Sequence, residues 1–244
     1  MDPVRDAKDA DRRAIFVGLS SMTALALTSC ATSMGAESAS ANAEEKKSRE
    51  EGEGAEVTPG EDLMQEHGVL ERVLLVYTEA IARLREGGAM DPQLIVSSAG
   101  IVRRFVEDYH EKLEETFVFP RLEQMGKQVA LVATLKEQHV KGRQLTDAIL
   151  ATAQAQGALD GPRLSGQLET FIRMYRPHAA REETVLFPAF RRTLDKDGYH
   201  ELGERFEEKE HQLFGEGGFD DIVSQVSAIE TALGIHELAQ FTPR

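Results

Sequence analysis

Apolar residues recur at helical spacing in four long segments of the chain, with polar residues between them. The segments run from about Glu61 to Glu86, from Asp91 onward, from about Gln128 to Gln156 and from about Leu164 to Leu194. Each has one apolar stripe, and four such stripes can meet in a single core. The pattern predicts an all-α fold, an up-down-up-down four-helix bundle.

Turn and capping residues mark the ends of these helices. Gly87-Gly88 ends the first helix, and Asp91-Pro92 supplies an N-cap and a proline at the first position of the second. A turn over 157–162 separates the third helix from the fourth. Pro177 lies inside the fourth helix, where it removes one backbone hydrogen bond, so we expect a kink there.

Two shorter helices follow the four long ones. A charged helix is predicted from about Tyr199 to Leu213, a glycine-rich break covers 215–218, and a last helix runs from about Phe219 to Leu233. We expect one or two of these helices to pack outside the bundle. The predicted domain, bundle and C-terminal helices together, spans 61–235, and 236–244 is a tail.

The N-terminal residues 1–30 resemble an export signal. Arg12-Arg13 precedes an apolar run from Ala14 to Leu27 that is too short to span a bilayer comfortably. The run ends in Leu-Thr-Ser before Cys30, which resembles a bacterial lipobox and implies cleavage before Cys30 and acylation of its thiol. Arg12-Arg13 with Phe16 also resembles, more weakly, a twin-arginine signal. An ordinary secretory signal or an uncleaved N-terminal helix remains the alternative.

Residues 31–60 are rich in Ala, Ser, Glu, Gly and Lys and poor in large apolar residues. Such a composition cannot bury a core, so we predict a disordered tether. Tether and signal together predict an exported protein on the periplasmic side of a bacterial membrane, lipid-anchored at Cys30.

Charge and cysteine content exclude several classes of function. The net charge is −14 and no Lys/Arg-rich cluster is present, which argues against nucleic acid and against a polybasic membrane-binding surface. The chain has 1 cysteine, so neither an intrachain disulfide nor a multi-cysteine zinc site can form. Membrane contact is therefore expected only through the lipid anchor.

One motif occurs twice without a gap: H-x-x-x-E-E-T-x-x-F-P begins at His110 and again at His178. Residues four apart lie on one face of a helix, so His110 pairs with Glu114 and His178 with Glu182. Two such helices facing each other would offer imidazole nitrogens and carboxylate oxygens to a shared point. That donor set suits a pair of iron or manganese ions.

A lone histidine precedes each copy of the motif by one helix. The two are found in Glu66-His67 and Gln138-His139, and a leucine lies four residues before each. The repeating unit is therefore one helix with a single histidine followed by one helix with His-x-x-x-Glu. For the two His-x-x-x-Glu pairs the alternative is surface ion pairing, but their flanking apolar residues place them on the inward stripes. For His67 and His139 the alternative is a hydrogen-bonded histidine in the core.

These residues resemble the hemerythrin-like (HHE cation-binding) family over roughly residues 61–190. The resemblance implies a non-haem centre of two iron ions, oxo- or hydroxo-bridged, in the bundle core. About one open position on each metal would accept O2, hydrogen peroxide or nitric oxide. By position, the implied ligands are four terminal histidines and two bridging glutamates: His67, His110, His139, His178, Glu114 and Glu182.

The sequence departs from the oxygen-carrying hemerythrins in two helices. Their third helix carries His-x-x-x-His, whereas Arg143 stands at the second position here. Their fourth helix carries His-x-x-x-x-Asp, whereas Glu182 follows His178 at four and Glu183 at five. The two halves of the predicted site are therefore nearly symmetric, which favours redox turnover or sensing over simple oxygen storage.

Further candidates surround the predicted ligands. Glu111, Glu115 and Glu183 are candidates for a base or an alternative ligand, or are simply solvated. Tyr109 and Tyr175 are candidates for hydrogen-bond donors at the edge of the site, or pack in the core.

Other motif residues and the remaining histidines lie further from the predicted site. His211 is a candidate for a fifth nitrogen ligand or a cap on the mouth of the site, or is exposed. His200 and His236 are predicted to lie on the surface. The Phe-Pro pairs at Phe119 and Phe187 are predicted to end or bend their helices.

The leading functional hypothesis is an exported, membrane-tethered di-iron protein that binds or reduces small oxidants. A catalase- or peroxidase-like enzyme at the same site is a second hypothesis. A non-catalytic iron-binding or sensory lipoprotein is a third. The sequence names neither catalytic residues nor a redox partner.

Overall fold

A computed structural model describes residues 58–243, and helix is the only regular secondary structure in that range. The predicted all-α fold is confirmed. The export signal, Cys30 and nearly all of the predicted tether lie outside the described residues. Within 58–243 no helix is both long enough and apolar enough to cross a bilayer.

Helix α1 (Pro59–Arg85) begins at a capping box two residues before the predicted start. The Thr58 side chain accepts from the Glu61 amide, and the Glu61 carboxylate accepts from the Thr58 amide at 3.0 Å. At the other end, Gly87 adopts φ 71°, and the Gly88 amide donates to the Arg83 carbonyl at 2.8 Å. That left-handed conformation favours glycine, so the predicted glycine stop is present.

The second helix changes its hydrogen-bonding register along its length. Its order is α2 (Pro92–Ile101), a π-helical segment (Val102–His110), α3 (Glu111–Leu113), a second π-helical segment (Glu114–Val118) and α4 (Phe119–Gln124). Asp91 caps it, accepting from the Gln93 amide at 2.9 Å. Phe119-Pro120 was predicted to end or bend the helix; it does not end it, since α4 continues through the pair. π turns often mark functional sites.

The third and fourth helices complete the bundle. The third is α5 (Val129–Ala153); the fourth contains α6 (Gly161–Arg181), a π-helical segment (Glu182–Leu186) and α7 (Phe187–Arg191). Pro177 lies on the exposed side of α6, which continues beyond it to Arg181. Helix also continues through Phe187-Pro188, so this pair does not end its helix either. The π segment precedes each Phe-Pro pair at the same place in the repeat.

Two further helices pack against the outside of the bundle. Helix α8 (Lys196–Phe214) contacts α1, and α9 (Gly218–Ala232) contacts α1 and α2. The Tyr199 hydroxyl accepts from the Gly60 amide at 2.9 Å, and an Arg72–Glu230 ion pair joins α1 to α9. The last residues carry a single 3-10 turn, Leu238–Phe241, and residues 236–243 are exposed.

The four long helices pack in a cycle. Helix α1 contacts the second helix and α6, and α5 contacts α2 and α6. Apolar side chains fill most of the interior, and a group of buried histidines and glutamates lies among them. Buried carboxylates are costly unless they are protonated, paired or bound to a metal, so this group locates the candidate site.

Candidate metal centre

Both His-x-x-x-Glu pairs point into the bundle. Glu114 and Glu182 are each 0% exposed, and His110 and His178 are buried. Within the fourth helix, His178 Nε2 lies 3.0 Å from Glu182 Oε1. Within the second, His110 Nε2 lies 3.8 Å from Glu114 Oε2. One helical turn therefore places an imidazole nitrogen and a carboxylate oxygen at the same point.

The two lone histidines reach the same carboxylates from the neighbouring helices. His67 Nε2 lies 3.3 Å from Glu182 Oε2, and His139 Nε2 lies 3.4 Å from Glu114 Oε2. The structure thus brings together all six residues that the sequence singled out as ligands. They form two groups that share Glu114 and Glu182, and within each group the donor atoms all lie within 4.8 Å of one another. The first group adds His67 and His110, which we call the first half-site. The second adds His139 and His178, which we call the second half-site.

The unsatisfied atoms of this cluster fit a pair of metal ions. Both carboxylate oxygens of Glu114, both of Glu182 and the Nε2 atom of His139 are buried without a hydrogen-bond partner among the described residues. Such atoms are rare in folded proteins because each loses its hydration. Donor atoms about 2.1 Å from one metal lie roughly 3 Å apart when adjacent, close to the separations found here. Glu114 and Glu182 are shared by both histidine pairs, so they are placed where they could contact more than one ion.

Burial and neighbouring carboxylates shift the pKa of several members of the cluster. Burial opposes protonation of His67, but the Glu182 and Glu183 carboxylates outweigh it and raise its pKa to about 9. Burial, and then the Glu182 carboxylate, raise the pKa of Glu114 well above its usual range. Burial also lowers the pKa of His139 to about 4. Protons thus distribute unevenly over the donors, as expected where a cation would otherwise balance the charge.

Each histidine is held from behind by a residue on the preceding helix of the cycle. The four hydrogen bonds to the Nδ1 atoms form what we call the orienting ring. In each, a carboxylate or amide oxygen fixes the tautomer with the proton on Nδ1 and leaves Nε2 free for a metal. The pairs are Glu66 with His110 (2.6 Å), Glu115 with His139 (3.1 Å), Gln138 with His178 (2.9 Å) and Glu183 with His67 (3.2 Å).

Only part of the orienting ring was predicted from the sequence. Glu115 and Glu183 were candidates for a base or a ligand, and the structure places both at Nδ1 atoms. Glu66 and Gln138 were not considered, although each directly precedes a lone histidine at matched places in the repeat. Their matched positions in the repeat could have singled them out. The histidine that each contacts lies on the next helix, however, so the spacing along the sequence does not identify it.

Glu111, Arg143 and Tyr175 form a second network beside His139. The Tyr175 hydroxyl donates to Glu111 Oε1 at 2.9 Å, and Arg143 Nη2 lies 2.7 Å from Glu111 Oε2. Burial raises the pKa of Glu111 well above its usual range, although Arg143 opposes the shift. The same Arg143 atom donates to Glu115 at 2.7 Å. Arg143 thus stabilises the carboxylate that orients His139.

Two phenylalanines pack against histidines of the cluster. Phe119 lies against the His139 ring at 5.4 Å between centroids, and Phe187 against the His67 ring at 5.5 Å. Both belong to the repeated Phe-Pro pair, which was predicted only to end or bend its helix. Their position indicates that the pair packs on the histidines and keeps water from one face of them.

Helix α8 turns Glu210, and not His211, toward the bundle. His211 is exposed and belongs to neither group of donors, so the structure does not bring it to the site as a ligand or a cap. The neighbouring Glu210 is buried, and its carboxylate lies near those of Asp62 and Glu66. Helix α8 packs through Phe206, and the resulting rotation turns position 210 inward. Tyr109 is buried near Glu66, while His200 and His236 are exposed as predicted.

Comparison with known proteins gives one family. Residues 58–190 match the hemerythrin HHE cation-binding domain. An uncharacterized protein of Mycobacterium bovis and uncharacterized proteins of two Mycobacterium tuberculosis strains are each 48% identical to this chain over 190 residues. Those alignments cover 77% of this chain and 74% of each relative. No solved structure matches the chain significantly.

Proposed function

Because the chain belongs to the hemerythrin HHE cation-binding family, we propose that it is an exported protein holding two iron ions that bind or reduce small oxidants. The observation that carries the proposal is the convergence of four histidines on two shared, buried glutamates whose oxygens lack hydrogen-bond partners among residues 58–243. Iron held by these residues would supply one-electron redox chemistry and would bind O2, hydrogen peroxide or nitric oxide.

The protein would position the ligand atoms, fix the tautomers of the histidines and keep water from the site. Glu114 and Glu182 would bridge the two metals, and each half-site would add two imidazole nitrogens. The orienting ring holds the Nδ1 protons, so that the Nε2 atoms bind metal without first reorganising. Phe119 and Phe187 shield the rings, which limits access to small molecules.

Metal analysis tests the proposal directly. Protein loaded with iron under anaerobic conditions should hold about two irons per chain, and exposure to air should give an oxo-to-iron charge-transfer band. The Glu114→Gln variant should lose most of the second iron, and Glu208→Gln, which changes an exposed glutamate, should not. Reconstituted wild-type protein that holds no iron would overturn the proposal.

Turnover and simple binding give different results with peroxide. A catalase- or peroxidase-like enzyme would consume hydrogen peroxide over many cycles, and Glu114→Ala would abolish the activity. A non-catalytic or sensory protein would instead react once for each loaded centre. The number of peroxide molecules consumed per bound iron therefore distinguishes an enzyme from a non-catalytic protein.

The proposed location rests on Cys30 and the preceding apolar run, which lie outside the described residues. Cleavage before Cys30 and acylation would leave the helical domain tethered to the outer side of the membrane. In a bacterial host, wild-type protein should incorporate a labelled fatty acid and sediment with membranes. Cys30→Ser should lose the label and become releasable; equal labelling of both proteins would contradict the lipid anchor.

A further inference from the structure

The orienting ring is chemically uneven. Three of its four members are carboxylates and the fourth is an amide, Gln138. The amide stands where the repeat has Glu66 in the other half of the chain. The two half-sites therefore share the same donor atoms but differ in the groups that polarise their histidines.

The first half-site has a carboxylate behind each histidine. Glu66, which is buried, lies 2.6 Å from His110 Nδ1, and Glu183, whose side chain is 41% exposed, lies 3.2 Å from His67 Nδ1. A carboxylate that accepts the Nδ1 proton increases electron density on the ring and makes Nε2 a stronger ligand.

The second half-site is weaker in this respect. Gln138 is an amide, so it orients His178 but polarises its ring less than a carboxylate does. Glu115 behind His139 is a carboxylate, but Lys112 Nζ lies 2.5 Å from one of its oxygens and Arg143 Nη2 lies 2.7 Å from the other. Those two cations offset the charge of Glu115 and lower its capacity to polarise the His139 ring.

We propose that the two half-sites bind metal in order, with the His67/His110 half-site binding first and more tightly, because Gln138 and the Glu115–Arg143 pair weaken the other. This inference rests on the proposed function, since it assumes that metal binds between the four histidines. Partners of metal-bound histidines typically change affinity by about 10- to 100-fold. We therefore expect two binding steps that differ by about tenfold or more.

Titration of metal-free, full-length protein with Zn2+ alone tests the order. Calorimetry against a competing chelator should resolve a tight and a weaker step in the wild type. Histidine ring NMR at one equivalent of Zn2+ should show the His67 and His110 signals shifted before those of His139 and His178. Equal steps, or earlier shifts at the second half-site, would overturn the inference.

Exchanging the two matched residues gives the sharper test. Gln138→Glu should tighten the second step by about tenfold and bring the steps together, while Glu66→Gln should weaken the first by a similar factor. Combining both changes should reverse the order seen by NMR. Gln144→Glu is the matched control, because it adds the same charge at an exposed position of the same helix. An equal effect of Gln144→Glu would mean that charge alone, and not the contact to His178, sets the order.

The outcome is separable from that of the proposed function. Absence of any Zn2+ or iron binding at the six residues would remove both. Binding of two metals in two equal steps, with both half-sites shifting together, would leave the metal centre in place and remove only the order.

Discussion

Glu114 provides a test in which stability and metal binding change in opposite directions. Its side chain is 0% exposed, and neither carboxylate oxygen has a hydrogen-bond partner among the described residues. Methionine has a similar length and is unbranched and apolar, so Glu114→Met fills the same space without a polar group. We expect the variant to be more stable than the wild type without metal, and to lose most of the stabilisation that metal confers.

The magnitude follows from the unsatisfied atoms. A buried polar group without a partner costs about 1–3 kcal/mol, and replacing buried charged groups by apolar ones is often stabilising by about 1–4 kcal/mol. We therefore expect the free energy of unfolding of the metal-free protein to rise by about 1–3 kcal/mol. In a domain of this size, each kcal/mol raises Tm by about 2–4 °C.

The pH dependence of the effect has a defined sign. Burial raises the pKa of Glu114 above its value in the unfolded chain, so the native state keeps a proton that the unfolded state releases. The wild type therefore loses stability as the pH rises above the ordinary glutamate range. The advantage of Glu114→Met should be larger at pH 8 than at pH 5.

Thermal unfolding followed by circular dichroism measures both effects, first in chelator and then in excess Zn2+. At 100 times the dissociation constant, each bound metal stabilises the native state by about 2.7 kcal/mol, so the wild type should overtake the variant. Leu113→Met is the control: it changes a buried neighbour, should cost less than about 1.5 kcal/mol and should keep the full metal effect. A Glu114→Met protein that is less stable in chelator, or that gains as much from Zn2+ as the wild type, would refute the reasoning.

Three further predictions follow from residues around the centre. Metal competes with the proton on His67, whose pKa is raised to about 9 by carboxylates that outweigh its burial. Zn2+ affinity should therefore rise about tenfold per pH unit for each proton displaced between pH 6 and 8. An affinity that calorimetry finds unchanged across that range would contradict this. Gly142→Ala would place its Cβ 2.0 Å from the Tyr175 hydroxyl, so Tm should fall by the equivalent of about 1–3 kcal/mol, whereas Gly166→Ala, in open space, should raise it. Arg143→Met leaves the buried Glu111 without its cation and should lower the free energy of unfolding by about 2 kcal/mol, measured by urea unfolding. Arg176→Met, at an exposed position, is the control and should leave the urea midpoint unchanged.

The sequence predicts the helices and the convergence of the six residues because both depend on periodicity within a helix. His110 with Glu114, and His178 with Glu182, need only the spacing of four residues to share a face. The repeat then indicates that the lone histidines occupy matched places. The capping residues Thr58 and Asp91 and the Gly87 stop act locally, and for that reason helix ends were predicted to within a few residues.

Features that depend on the relation between helices were not predictable in the same way. The contacts of Glu66 with His110 and of Gln138 with His178 join different helices, whose relative rotation the sequence does not state. The choice between Glu210 and His211 is a rotation of one residue, set by the packing of Phe206. The π-helical segments before both Phe-Pro pairs depend on backbone hydrogen bonds that side-chain patterns do not show. The helix continues through both pairs, where an end or a bend was expected.

The direction of the orienting ring has a consequence for the origin of the fold. Glu66 reaches its histidine inside the first helical hairpin and Gln138 does so inside the second, while Glu115 and Glu183 reach across to the other hairpin. A two-fold rotation that exchanges the hairpins maps each of these contacts onto another. Two identical copies of one hairpin, related by a two-fold axis, would therefore form every type of contact in the orienting ring. Duplication and fusion of such a hairpin would account for the repeat, and the glutamine at 138 would then be a later divergence between the copies.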